Sequence, residues 1–413
     1  MKFPLFVLTG LLVISSIVFA GDWPQILGPH RDGKGTGEAL ADRWPAGGPP
    51  VLWERPVGHG YAGVAVQGDR LIVFHRLREQ EVVECLNAAT GEPIWKGTYP
   101  TSFYPQVGGG DGPLCVPTIQ GEHVITYGAQ GVLSCFELQS GKQLWQRKTH
   151  EDFDAREGYF GAGSAPVVID GRVIANVGGT REQSGVVAFD LNSGETTWAQ
   201  TEAPASYSAP ISVTLAEIPH VLLETRYECL LMEAESGAIR FRFPFGQRGP
   251  TVNAAQPLVL GGDRLYVTAS YGIGSVLSRF DIFRCEEERQ GNELSSQYCT
   301  PISQGEMLIC VDGREDVPPA DLKGVDWKTG RLLWVQYGFG YGTIIAADGQ
   351  LLIQKTDGDL VLGKADEKDF TRISHFRVFN DEVRALPALS NGRFYTRDTK
   401  TLKCLDVSRG LAK

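Results

Sequence analysis

The chain has 413 residues, 42% hydrophobic and 21% charged, an ordinary globular composition that excludes a disordered or fibrous protein. Its 50 glycines exceed the roughly 7% of average usage and follow no Gly-X-Y period, which excludes collagen and favours many tight turns. With 39 Lys and Arg against 49 Asp and Glu, the net charge is −10, the wrong sign for a general nucleic-acid binder.

From the N-terminus, residues 1–20 read as a cleavable export signal. Lys2 supplies the positive start, the stretch from Phe3 to Phe19 is largely apolar, and Val18-Phe19-Ala20 sets small residues before a cut. The run is barely long enough for a membrane span and is broken by Thr9, Gly10, Ser15 and Ser16. Residue 21 is Gly rather than Cys, so no lipid anchor is expected. The mature chain is expected in the periplasm or outside the cell, with residues 21–50 as an N-terminal arm and 51–413 as one repeat domain.

Self-similarity organises that domain. The segments ECLNAATGEPIW, SCFELQSGKQLW, AFDLNSGETTW, LMEAESGAIRF and GVDWKTGRLLW each place Asn or an acid four residues before Gly and an aromatic four residues after it. The glycines are Gly91, Gly141, Gly194, Gly237 and Gly330; the aromatics are Trp95, Trp145, Trp198, Phe241 and Trp334. A weaker copy holds Asp406 and Gly410. A strand, a glycine turn and a strand opened by an aromatic explain the pattern. The gap between Phe241 and Trp334 spans two periods, which predicts a hidden copy near Arg284 to Gln290. Inner-strand openings near residues 62, 114, 163, 207, 254, 298, 341 and 384 number eight. Periods of about 40–50 residues with strand patterning throughout predict an all-β, eight-bladed β-propeller of four-stranded antiparallel blades. The last opening lacks a following aromatic, and VLWERPV with Trp53 lacks an opening. This N-terminal strand is therefore expected to complete the last blade and close the ring, since an open array would expose sheet edges.

These repeats resemble the tryptophan-docking motif of pyrroloquinoline quinone (PQQ) propellers. That superfamily includes quinoprotein alcohol dehydrogenases and the propeller lipoprotein of the outer-membrane β-barrel assembly machine. The segments DWPQILGPHRDGKGTG and WPAGGPPVLWERPVGHGY are similar to a group of secreted bacterial PQQ-like repeat proteins. The resemblance implies the fold but not an activity. Quinoproteins of this type hold PQQ with adjacent cysteines, a calcium site and a catalytic Asp, and this chain has no adjacent cysteines. The blades are also compact, without the large inserts usual in quinoproteins.

Other catalytic signals are missing. The seven histidines form no ligand-spaced pair, and there is no His-Glu-x-x-His, phosphate loop or nucleophile elbow. Asp312-Gly313-Arg314 and Asp357-Gly358-Asp359 read as hairpin turns rather than calcium loops. Trp53, Trp95, Trp145, Trp198, Phe241 and Trp334 are expected to pack between blades. Cys85, Cys135, Cys229 and Cys404 are read as one repeated core position. In QYCTPISQGEMLICVD a turn centred on Gln304-Gly305 would place Cys299 opposite Cys310, either as a disulfide or as two reduced core thiols.

A functional face follows from symmetry. Loops entering the innermost strands converge on a propeller axis, and one register position there is held by Tyr61, Leu114, Gly163, Tyr207, Ala254, Tyr298, Tyr341 and Arg384. Arg156, Tyr159, Arg248 and Asn253 lie in the same loops. Tyrosine combines a rigid apolar face with a hydroxyl, the chemistry of pockets and interface anchors. The widest funnel is expected on this face, lined by Tyr61, Tyr207, Tyr298, Tyr341 and Arg384; the competing reading has these rings plugging the channel. The expected function is a non-catalytic binding or scaffold module for a protein or small molecule of the cell envelope, acting as a monomer with no metal and no cofactor. One alternative is a PQQ- and calcium-dependent oxidoreductase acting on an alcohol or sugar. The other is a factor for envelope protein assembly.

Overall fold

Where the polar residue before the repeat glycine is Asn or Asp, its side chain folds the chain back. The Asn87 Oδ1 accepts the backbone N–H groups of Ala89 and Thr90 at 2.9 and 3.1 Å. Asp190 and Asp326 make the same turn. Asp281 and Asp366 make it too, without a glycine, so the hidden copy begins at Asp281. The repeat glycines take φ values of 71–74°, a region open to Gly at little cost.

A computed structural model describes residues 21–249 and 251–411; the expected export signal lies outside them. The chain forms eight four-stranded antiparallel blades around an axis. Blade 1 runs from Val64–Gln67 to Pro93–Pro100, blade 2 from Thr118–Gln120 to Gln143–Lys148, and blade 3 from Val167–Ile169 to Thr196–Gln200. Blade 4 runs from Ile211–Leu215 to Ile239–Pro244, and blade 5 from Leu258–Leu260 to Cys285–Gly291. Blade 6 runs from Ile302–Gln304 to Leu332–Gln336, and blade 7 from Gly342–Ala347 to Phe370–Arg377. Blade 8 joins Ala388–Ser390, Arg393–Arg397 and Thr401–Asp406 to the N-terminal strand Val51–Pro56, with Trp53 opposite Cys404. The ring is closed as expected. No helix among the described residues is long and apolar enough to cross a membrane.

The aromatics join neighbouring blades. The indole N–H groups of Trp53, Trp95, Trp145, Trp198 and Trp334 donate to carbonyls of Ala88, Leu138, Leu191, Ala234 and Asp366 in the next blade, at 2.7–3.1 Å. Four of these rings, those of Trp53, Trp95, Trp145 and Trp198, also lie on repeat glycines: a Cβ at Gly91, Gly194 or Gly237 would sit 2.6–2.7 Å from ring carbons. Blade 5 replaces the aromatic by Arg289, opposite Leu277 at the same strand irregularity. Its guanidinium donates to the carbonyls of Trp327 and Lys328 at 3.0 and 2.9 Å and overlies Gly330. In blade 7 the position falls to Ser374, whose Oγ accepts the backbone N–H of the arm's Trp44 at 3.2 Å. Trp44 is buried in the core shared by blades 7 and 8.

Two cysteine readings need correction. The hairpin of blade 6 turns on Gly305-Glu306, because Gln304 pairs with Met307. Cys299 and Cys310 are therefore not direct cross-strand partners; both are buried free thiols, with the Cys310 Sγ 3.3 Å from the Cys299 carbonyl oxygen. Cys85, Cys135 and Cys404 do share one position, each opposite its blade's Trp. Cys229 sits two residues earlier than the residue opposite Phe241.

The arm fills the channel from the hairpin-turn end. Trp23 bridges to Val66, Lys34–Gly35 adds a short parallel strand to blade 7, and Leu40 bridges to Ser408. Between them Arg31, 3% exposed, reaches the starts of the inner strands of blades 2, 3 and 4. It donates to Gln25 at 2.7 Å, to the carbonyls of Ala165 and Pro210 at 3.2 and 2.7 Å, to that of Pro166, and to the Thr118 hydroxyl. One guanidinium thus ties three blades to the arm.

A second buried titratable side chain has no such company. Glu224 is fully buried at the end of the second strand of blade 4, and neither carboxylate oxygen has a partner. Burial raises its pKa well above the ordinary carboxylate value. Its contribution is undiminished below the unfolded value and is lost as pH rises from there through the raised folded value. The fold should therefore weaken from about pH 4.5 upward, by up to about 1.4 kcal/mol per pH unit from this group. Denaturant titrations of the chain and of Glu224→Gln between pH 4.5 and 8 measure it: the difference between the two should change with pH, and parallel curves refute it.

Candidate functional site

Strand order sets the faces. The loops between blades and those joining the second and third strands share one end of the ring, opposite the arm's entry. At the axis of that loop face lies a funnel of about 200 Å³. Ile26 of the arm lines it, so the plugged channel makes the funnel blind. Its apolar wall includes Tyr61, Leu114, Phe160, Tyr207 and Leu386. Tyr207 is held by an edge-to-face contact with Phe160 at 5.8 Å and accepts the Phe160 N–H at 3.0 Å. Gly163 makes room for it, since a Cβ there would overlap the Tyr207 ring.

One side of the funnel is charged. Arg384 Nη2 meets Glu315 at 2.6 Å and Glu382 at 2.9 Å, and the guanidinium lies 5.3 Å from the Tyr61 ring centre. The Tyr61 hydroxyl donates to Glu382 at 3.0 Å. Burial and the Glu382 charge push the Tyr61 pKa up to about 12. Burial raises that of Glu315, with Arg384 opposing and Glu382 adding to the rise. Burial works against the Arg384 charge, and the two carboxylates outweigh it.

Sequence symmetry located part of this site. Tyr61, Tyr207, Tyr298 and Arg384 do meet at the axis. Tyr341 does not line the funnel: it is 5% exposed, its ring is tilted against that of Tyr298 with centres 4.5 Å apart, and its hydroxyl accepts the N–H groups of Tyr298 and Cys299. Asn253 is a buried staple donating to carbonyls of Thr225, Arg226 and Phe245. Arg248 is exposed and lines neither cavity described here. Arg156 and Tyr159 stand with Tyr207 around a cleft of about 690 Å³ over blades 3 and 4. The larger of these two cavities is therefore on the expected face but off the axis. Arg226 dominates that cleft, its guanidinium 5.2 Å from the Tyr159 ring centre and 5.7 Å from that of Tyr227.

Several contributors escaped the symmetry argument. Arg226, Tyr227 and Glu315 come from loops between second and third strands, a set it left out. Glu382 lies two residues before Arg384 in a loop that was considered, and its proximity was readable. Ile26 belongs to the arm, which carries no repeat signal.

The funnel does not match PQQ. A tricarboxylate calls for unengaged cationic partners, and Arg384 already serves two carboxylates. Among the described residues, no group of three His, Cys, Asp or Glu is placed to hold a metal ion.

A family model described as the outer membrane protein assembly factor BamB matches residues 44–181 and 78–336. No curated protein matches the chain. Among solved structures, BamB from Moraxella catarrhalis is 16% identical with a TM-score of 0.61, covering 86% of this chain and 96% of that one. A europium-containing methanol dehydrogenase is 11% identical with a TM-score of 0.65, over 92% and 89%. The quinohemoprotein alcohol dehydrogenase from Comamonas testosteroni is 13% identical with a TM-score of 0.63, over 95% and 81%. At such identities these structures share the fold alone. The family match spans most of the blades built above, and the chain belongs to the PQQ-like propeller family described as outer membrane protein assembly factor BamB.

Proposed function

We propose that the protein is an exported, non-catalytic propeller that docks a protein partner of the cell envelope on its loop face. The observation that carries this reading is the convergence of tyrosines and arginines there. Tyr61, Tyr207 and Arg384 surround a blind funnel, while Tyr159, Arg226 and Tyr227 stack beside a wider cleft. Tyr and Arg are the residues most enriched in interface hot spots, where a rigid ring or a planar fork anchors a desolvated pocket. Membership of a family named for a protein-assembly factor supports a protein partner over a small molecule. The apolar N-terminal segment supports export. A mature chain starting at Gly21 is expected on N-terminal sequencing.

Affinity capture from the native envelope tests the docking. A partner recovered with the unaltered chain should be lost with Tyr207→Ala combined with Arg226→Ala. Equal recovery overturns the reading, as would PQQ- and calcium-dependent oxidation of an alcohol or sugar.

A further inference from the structure

We infer that the axial funnel is a socket for a lysine or arginine side chain presented by the docked partner. This inference rests on the reading of the loop face as a docking surface and goes further, naming the group that enters the axis. Three observations carry it.

The first is size. About 200 Å³, closed below by Ile26, suits one long side chain rather than a helix or a large cofactor. The second is the wall. Tyr61 and Tyr207 line the cavity, and aromatic faces attract a cation while packing on its aliphatic stem. Arg384 already lies over Tyr61 in this way.

The third is the charge balance. Glu315 and Glu382 share one guanidinium, so two carboxyl groups face a single cation. The raised pKa of Glu315 reflects a carboxylate that burial leaves short of compensation. A second cation entering beside Glu382, whose side chain is exposed, would complete two pairs in place of one shared guanidinium. An acidic or plain apolar side chain would gain no such pair. Charge-assisted bonds of this kind are the stronger class.

The test uses the full mature chain and three small probes: N-acetyl-lysine amide, N-acetyl-leucine amide and N-acetyl-glutamate amide. Binding is followed by nuclear magnetic resonance titration. The lysine probe should bind at least about tenfold more tightly than either other probe, and added salt should weaken it. Glu382→Gln, an exposed change that leaves the core untouched, should abolish most of that preference while leaving the leucine probe unaffected. Equal binding of leucine and lysine would make the funnel a plain apolar slot, and tightest binding of glutamate would make Arg384 an anion anchor. Either result overturns the inference, as does no binding of the lysine probe at 50 mM. Failure here with partner capture still lost in the Tyr207→Ala, Arg226→Ala chain would leave the docking face intact and remove only the socket.

Discussion

Removing Val51–Pro56 should unfold the ring. That strand is the outermost of blade 8 and pairs with Thr401–Asp406. It also carries the contacts that join blade 8 to blade 1. Trp53 lies on Gly91 and donates to Ala88, while Arg55 reaches the Gly91 carbonyl at 3.0 Å and Glu84 at 2.8 Å. Without them, blade 8 exposes an unpaired edge and the one junction closed by distant parts of the chain has nothing to hold it. The cost should exceed the roughly 5–15 kcal/mol by which domains are stable. Trp53→Ala alone should cost about 3 kcal/mol, the lower end for a buried Trp because this one is partly exposed. Circular dichroism on heating is the measurement. A truncated chain that melts like the full one would show that the ring does not depend on this closure.

Arg31→Met should produce the next largest loss. The methionine can fill the volume but cannot donate, leaving the carbonyls of Ala165, Pro166 and Pro210 without their partner. Each buried acceptor so stranded costs about 1–3 kcal/mol, and a total of about 3–5 kcal/mol is expected after relaxation. Burial already lowers the Arg31 pKa to about 9, so the position is retained for its bonds and not for a comfortable charge. Hydrogen exchange should speed up across Leu27–Gly35 and at the starts of blades 3 and 4. An unchanged exchange pattern with an unchanged denaturation midpoint would show that the arm is held by its apolar residues alone.

Repetition made the fold legible. Five glycine–aromatic copies set the period, eight inner-strand openings gave the blade count, and two half-signals, Trp53 without an opening and Arg384 without an aromatic, located the closure. Repetition also explains what stayed hidden. Arg289 does the bonding of an indole with a guanidinium, and Ser374 is a small residue that holds the backbone of Trp44 from outside the repeat, so neither resembles the motif it replaces. The site was half legible for a related reason. Symmetry gives the position of a residue in its blade but not the direction of its side chain, which local loop geometry decides. Tyr298 reaches the funnel while Tyr341, at the matching register, turns under it to hold two backbone N–H groups. Turn length is similarly silent: Gly305-Glu306 and Gln304-Gly305 are both plausible in sequence, and only the pairing distinguishes them.

The docking face is tested most directly by placing a photo-crosslinking amino acid at exposed aromatics on opposite ends of the ring. Tyr104 and Tyr337 lie in loops between blades on the loop face, 73% and 81% exposed, and Phe283 lies in a hairpin turn at the other end, 79% exposed. With the chain expressed in its own cell envelope, crosslinks to one protein should form from Tyr104 or Tyr337 and disappear when Tyr207→Ala and Arg226→Ala are added. Crosslinks that form only from Phe283, or that survive those two changes, would contradict the account.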